Sequence, residues 1–118
     1  MTNWPQLTTG LNALLRDLRG GAPAIMKAFA GIAQAATASN ALDAKTKELI
    51  ALGIAVAVRC DDCIAFHVKA AVEHGATKDE VSETLGMTIY MGTGPSVMYA
   101  SHAFEAFTQF EASKRTVP

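Results

Sequence analysis

LIALGIAVAVRCDDCIAFH, residues 49–67, decides how the rest of the chain is read. From Leu49 to Val58 every residue is apolar or glycine. That run is about half of the roughly 20 residues a membrane helix needs, so it reads as core. The β-branched IAVAV would also suit a buried strand. Length and the preceding AKTKEL turn favour a helix over roughly 44–58, buried on all sides. A second helix starts near Cys60 or Asp61. The chain has two cysteines, and both stand here, with His67 four residues after the second.

Outward from that stretch the pattern stays helical, rich in alanine and without alternating Val, Ile and Thr. Downstream, the helix begun at Cys60 ends at His74-Gly75, where glycine suits the left-handed conformation past a helix end. TKDE at 77–80 reads as a capping box, with Thr77 capping and Glu80 reaching back. The helix it opens runs to about Met91. MGTGP breaks it, and a sixth helix runs from Pro95 to about Ser113, followed by a tail, KRTVP, expected to fray. GTGP at 92–95 lacks the spacing of a phosphate loop. Upstream, Trp4, Leu7, Leu11, Leu14, Leu15 and Leu18 form one apolar stripe. GGAP at 20–23 ends that helix, and Pro23 starts another that reaches about Thr37. SNALD at 39–43 connects to the core run, with Asp43 as N-cap. The expectation is an all-α bundle of about six helices.

At 118 residues the chain, 1–118, reads as one domain with a single core. Half of it is apolar and only 18% is charged, so part of its surface is expected to face another subunit. A net charge of −1 with scattered Lys and Arg offers no nucleic-acid or membrane surface. MTNWPQLTTG carries no export signal pattern, which points to a cytoplasmic home. There thiols stay reduced, and a cysteine pair is more often redox-active or metal-binding than structural.

Cys60, Cys63 and His67 stand at i, i+3 and i+7, on one helix face. The first turn of a helix favours thiolate through its unpaired N–H groups. Asp61 and Asp62 oppose that, so a proton acceptor is needed, and His67 is one turn past Cys63. Glu48 is the one charge in the buried part of the preceding helix. If the two helices fold back near Arg59, Glu48 lies roughly 16 Å from the bend, His67 roughly 12 Å and Cys63 roughly 6 Å. Glu48 should therefore face His67, in a line Glu48, His67, Cys63, Cys60: a carboxylate orienting a histidine that activates a nucleophile. Two other readings stand beside it. Cys60, Cys63 and His67 are three zinc ligands with Glu48 as a fourth, though no second CxxC or HxxxH completes a structural site. Two inert buried thiols are the other.

Residues 42–81, LDAKTKELIALGIAVAVRCDDCIAFHVKAAVEHGATKDEV, resemble the core of the carboxymuconolactone decarboxylase superfamily. Specifically they resemble its AhpD-like alkylhydroperoxidase branch. MTIYMGTGPSVMYASHAFEAFTQF, 87–110, is similar to the family's closing segment. The signature E-x11-C-x2-C-x3-H is matched by Glu48, Cys60, Cys63 and His67. The resemblance implies an all-helical, single-domain subunit of a homotrimer or homohexamer. It implies a thiol peroxidase cycle with no cofactor, metal or flavin. In that cycle Cys63 attacks a hydroperoxide and becomes a sulfenic acid, Cys60 resolves it as a disulfide, and Glu48 and His67 relay the proton. A dithiol donor, a lipoylated protein or a thioredoxin-like one, then restores the pair. The best-known members carry a histidine where this chain has Asp62, and a carboxylate there disfavours a neighbouring thiolate. A lyase of the same superfamily, and a redox-sensing oligomer that is no enzyme, are the alternatives.

Among the remaining polar residues, His74 reads as a helix-end histidine and His102 as a solvated or packed side chain before a pocket residue. Tyr90 and Tyr99 read as core or interface, and Met87, Met91 and Met98 as gap-fillers. Phe104, Phe107 and Phe110 form a stripe that packs on a neighbouring helix or subunit.

Overall fold

The computed structural model describes residues 1–116 and consists of five α-helices, with no strand among the described residues. They are α1 (Trp4–Gly21), α2 (Pro23–Thr37), α3 (Ala44–Ala57), α4 (Asp61–Glu73) and α5 (Lys78–Thr116). Local chemistry sets each start. Asn3 caps α1 by accepting from the Gln6 N–H at 3.0 Å, and Asp43 caps α3 by accepting from the Thr46 N–H at 2.8 Å. Pro23 opens α2, where its missing N–H costs nothing. At the start of α5 the Glu80 N–H donates to Thr77 Oγ1 at 3.1 Å, and the Thr77 N–H donates to Glu80 Oε1 at 2.9 Å, which is the expected capping box.

The ends of α3 and α4 share one device. The Cys60 N–H donates to the Ala55 carbonyl and the Arg59 N–H to the Val56 carbonyl. The same pattern joins Ala76 to Ala71 and Gly75 to Val72. Both are Schellman closures, whose penultimate residue must be left-handed. Gly75 takes φ 83° there, and Arg59 takes φ 60° without being glycine. The first closure leaves no linker: Cys60 ends the motif of α3 and is already the N-cap of α4. The two helices therefore run back along one another.

The core lies where α3, α4 and α5 meet. Leu52, Ile64, Val68 and Val81 are fully buried there, each contributing about 1.5–3 kcal/mol by leaving water. Ala65, Ala71, Ala103 and Ala106 are buried between helices, where their small side chains let the axes approach. Trp4 closes one end of this core. Its backbone N–H donates to Gln109 Oε1 at 2.7 Å and its indole N–H to Glu105 Oε1 at 2.8 Å, which ties the start of the chain to α5.

Three expectations need adjusting. Five helices are counted where about six were expected, because the segments on either side of MGTGP run on across a kink as one span, Lys78–Thr116. The expected break is nonetheless present at Thr93, with φ 50° and ψ −130°, and divides α5 into two arms. Gly92 is required beside it, since a Cβ there would collide with the buried Ser96 side chain. The end expected to fray is helical to Thr116, and Val117 and Pro118 lie outside the described residues.

The second adjustment concerns α3, which is not buried on all sides. Leu52, Ala55 and Val56 face the core, but Ile50, Ile54 and Val58 are exposed, Ile54 at 58%. The third concerns the α1 stripe. It is covered at Trp4 and open at Leu14 and Leu18. α2 buries no residue, and its Ile25, Phe29 and Ile32, spaced as one helical face, stand in solvent. Of the phenylalanine stripe, Phe107 and Phe110 are core, while Phe104 is partly exposed under the Lys78 ammonium. Tyr99 packs against the core and Tyr90 is exposed. Among the described residues no helix is long and apolar enough to cross a membrane.

Candidate redox-active site

The turn at Arg59 lays α4 back along α3, so that Glu48, near the start of α3, meets His67, near the middle of α4, while Cys60 and Cys63 stand at the turn itself. Glu48 sits one turn into α3 and is only 6% exposed. Its Oε2 accepts from His67 Nδ1 on α4 at 2.7 Å. A buried carboxylate needs such a partner, because an unpaired charge in the core costs several kcal/mol. The bond fixes the ring of His67 and leaves Nε2 to act as a base. His67 lies four residues past Cys63, on the same face of α4 and one turn nearer its middle.

Cys60 and Cys63 are joined as a disulfide, with Cα atoms 5.2 Å apart, inside the range such a bond spans. Both are half-buried, and Cys63 packs against the core. Cys60 is the N-cap residue, and its Sγ accepts from the Cys63 N–H at 3.1 Å. That N–H and the positive end of α4 favour a thiolate at Cys60 once the bond is reduced. Asp62, between the two cysteines, is exposed. Among the described residues no three His, Cys, Asp or Glu side chains come together so as to hold a metal ion.

One residue of this region is not evident from local spacing. His102, on the second arm of α5, bonds through Nδ1 to Asp61 Oδ1 at 2.8 Å. Its ring packs near those of Tyr99 and Trp4, with centroids 5.1 and 6.2 Å away. The residue reads from sequence as solvated or packed, and it is in fact paired with the carboxylate next to Cys60. The available signal is that it flanks the alanine face of α5, next to Ala103, where a histidine is unusual. His74 is exposed at the C-cap of α4, as expected.

On the other face of α3, away from Glu48, a groove of about 670 Å³ runs between α3 and the first arm of α5. Ile50, Gly53, Ile54, Met87 and Met91 line it, so it belongs to the uncovered apolar surface rather than to the dithiol.

The model of the carboxymuconolactone decarboxylase family matches residues 23–106. An uncharacterized protein of Cupriavidus necator is 43% identical over 104 residues, covering 88% of this chain and 92% of that one. A carboxymuconolactone decarboxylase family protein of Legionella pneumophila, solved in its apo form, superposes with a TM-score of 0.89. It is 48% identical, over 92% of this chain and 96% of that chain. A family protein of Thermotoga maritima, for which a part in the antioxidative response is suggested, superposes with a TM-score of 0.83. It is 25% identical, over 92% of each chain.

Proposed function

Since the chain belongs to the carboxymuconolactone decarboxylase family, we propose that it is a thiol-dependent hydroperoxide reductase of the AhpD-like kind. The observation that carries this reading is the Cys60–Cys63 bond on the helix whose His67 is held by the buried Glu48. Cys63 thiolate attacks the terminal peroxide oxygen, so that an S–O bond forms as the O–O bond breaks. The alcohol leaves with the proton that His67 took from the thiol. Cys60 then attacks the sulfenic sulfur, water leaves, and the disulfide is the product. A dithiol donor, a lipoylated or thioredoxin-like protein, returns the pair to thiols. The antioxidative role suggested for the Thermotoga relative fits this chemistry.

The same reading places the protein in the cytoplasm, where such donors are reduced, and makes it a homotrimer or homohexamer. The uncovered faces of α2 and α3 support assembly, because a lone chain with this much exposed Ile and Phe is prone to associate.

The test is turnover of an organic hydroperoxide with a dithiol reductant, for the wild type and Cys63→Ser. Loss of turnover in the variant is expected. Equal rates in the two proteins would remove the mechanism, and lactone turnover that survives loss of both thiols would favour the lyase instead.

A further inference from the structure

We propose that His102 and Asp61 form a second proton-handling pair, which serves Cys60 as Glu48 and His67 serve Cys63. The inference rests on the dithiol reading above and assigns a residue to its second half-step.

The two pairs are built alike. In each, a carboxylate takes the Nδ1 of a histidine, at 2.7 Å for Glu48–His67 and 2.8 Å for Asp61–His102. In each, Nε2 is the nitrogen left for a proton. They differ in origin: the first links α3 to α4, and the second links the second arm of α5 to the first residue of α4. Asp61 directly follows Cys60, so His102 is anchored at the end of α4 that Cys60 caps. The ring packs near Trp4 and Tyr99, while the side chain stays 40% exposed and so in contact with water that can carry the proton away. Glu105, three residues further along the same arm, has its Oε1 taken by the Trp4 indole, and Arg59 and the exposed Asp62 flank Cys60 and Asp61 in the chain.

Disulfide formation supplies the need. Cys60 must lose a proton as its sulfur attacks the sulfenic sulfur of Cys63. One S–S bond forms, one S–O bond breaks, and the departing hydroxide leaves as water with the proton that Cys60 gives up and His102 passes on through solvent. His102 Nε2 receives the Cys60 proton, and Asp61 steadies the imidazolium that results. His102 acts on Cys60 only and leaves the peroxide step to His67.

Alkylation by iodoacetamide, followed against pH, separates the two thiols without any peroxide. In a Cys63→Ser background Cys60 is the sole thiol, and adding His102→Gln should move its titration to higher pH. Alkylation at pH 7 should slow about tenfold, the effect of one unit of thiol pKa. Glutamine retains a polar edge for Asp61, and circular dichroism checks the fold; His102→Asn is the substitute should that variant not fold. In a Cys60→Ser background the same change should leave the Cys63 titration in place, whereas His67→Gln should move it. A Cys60 titration unchanged by the loss of His102, or a Cys63 titration displaced as far, would overturn the pairing. Because no hydroperoxide enters, failure of peroxide turnover speaks to the proposed activity alone, and failure here to His102 alone.

Discussion

Glu48 and His67 stand nineteen residues apart in sequence and meet at 2.7 Å, oxygen to Nδ1, across the turn at Arg59. The carboxylate is buried and the imidazole half-exposed, so the carboxylate is held inside while the ring reaches solvent. Glu48→Gln keeps the shape and weakens the hold on the ring. Under the proposed cycle kcat/KM for an organic hydroperoxide should fall about 100-fold or more, the low end of what a positioned base contributes. Steady-state turnover with a dithiol reductant measures it. A variant as active as the wild type would mean that His67 needs no orienting carboxylate.

Cys60 has a structural duty whatever its chemistry. Its sulfur accepts from the Cys63 N–H at the start of α4. Cys60→Ser and Cys60→Ala both lack the disulfide, but serine keeps a cap and alanine does not. Thermal unfolding should find the serine variant more stable by about 1 kcal/mol. Equal midpoints would show that the sulfur contributes nothing as a cap.

Arg59 occupies a left-handed position that glycine tolerates better. Arg59→Gly should raise stability by about 0.5–1 kcal/mol, the left-handed penalty of about 1–2 kcal/mol less the chain entropy that glycine loses. Urea unfolding of the two proteins checks the sign.

Phe29 on α2 and Ile54 on α3 are 61% and 58% exposed in the single chain. Phe29→Glu or Ile54→Glu should therefore leave the fold of one chain intact. If these faces join copies, either charge should shift light-scattering mass from the oligomer towards one chain. An unchanged mass in both variants would place the contact elsewhere.

Acid should weaken the capping of α3 and α5. A hydrogen bond with Thr46 holds the Asp43 carboxyl below its ordinary value. The Lys45 ammonium, with the Thr77 N–H, does the same for Glu80, and Glu80 in turn raises Lys45. A lowered carboxyl stabilises the fold above its unfolded value and loses that effect as pH falls through its folded value. The melting temperature should thus decline below about pH 4. Glu80→Gln should flatten that decline, and a curve parallel to the wild type would exclude this source. The raised Lys45 has the opposite sense: its contribution is present in neutral solution and lost at strongly alkaline pH.

Legible in the chain is what lies along single helices and across the shortest turn. The caps at Asp43 and Thr77, the glycine at 75 and the meeting of Glu48 with His67 all follow from local spacing and helical rise. His102 was beyond that reach. Its bond to Asp61 spans forty-one residues and depends on how the second arm of α5 leaves Thr93, an angle that no periodicity encodes. The outer face of α3 departs from its expected burial for a related reason. An all-apolar run states that Ile54 and Val58 need covering, and not whether the same chain does the covering.

Trp4 is the chain's single tryptophan, and its ring centroid lies 6.2 Å from that of His102. Indole emission responds to nearby imidazole, to its charge and to exposure. The molecule thus carries its own optical gauge at the end of α4. Opening the sulfur bridge, protonating that ring or loosening the first turn should each register as a change of light, with no label attached.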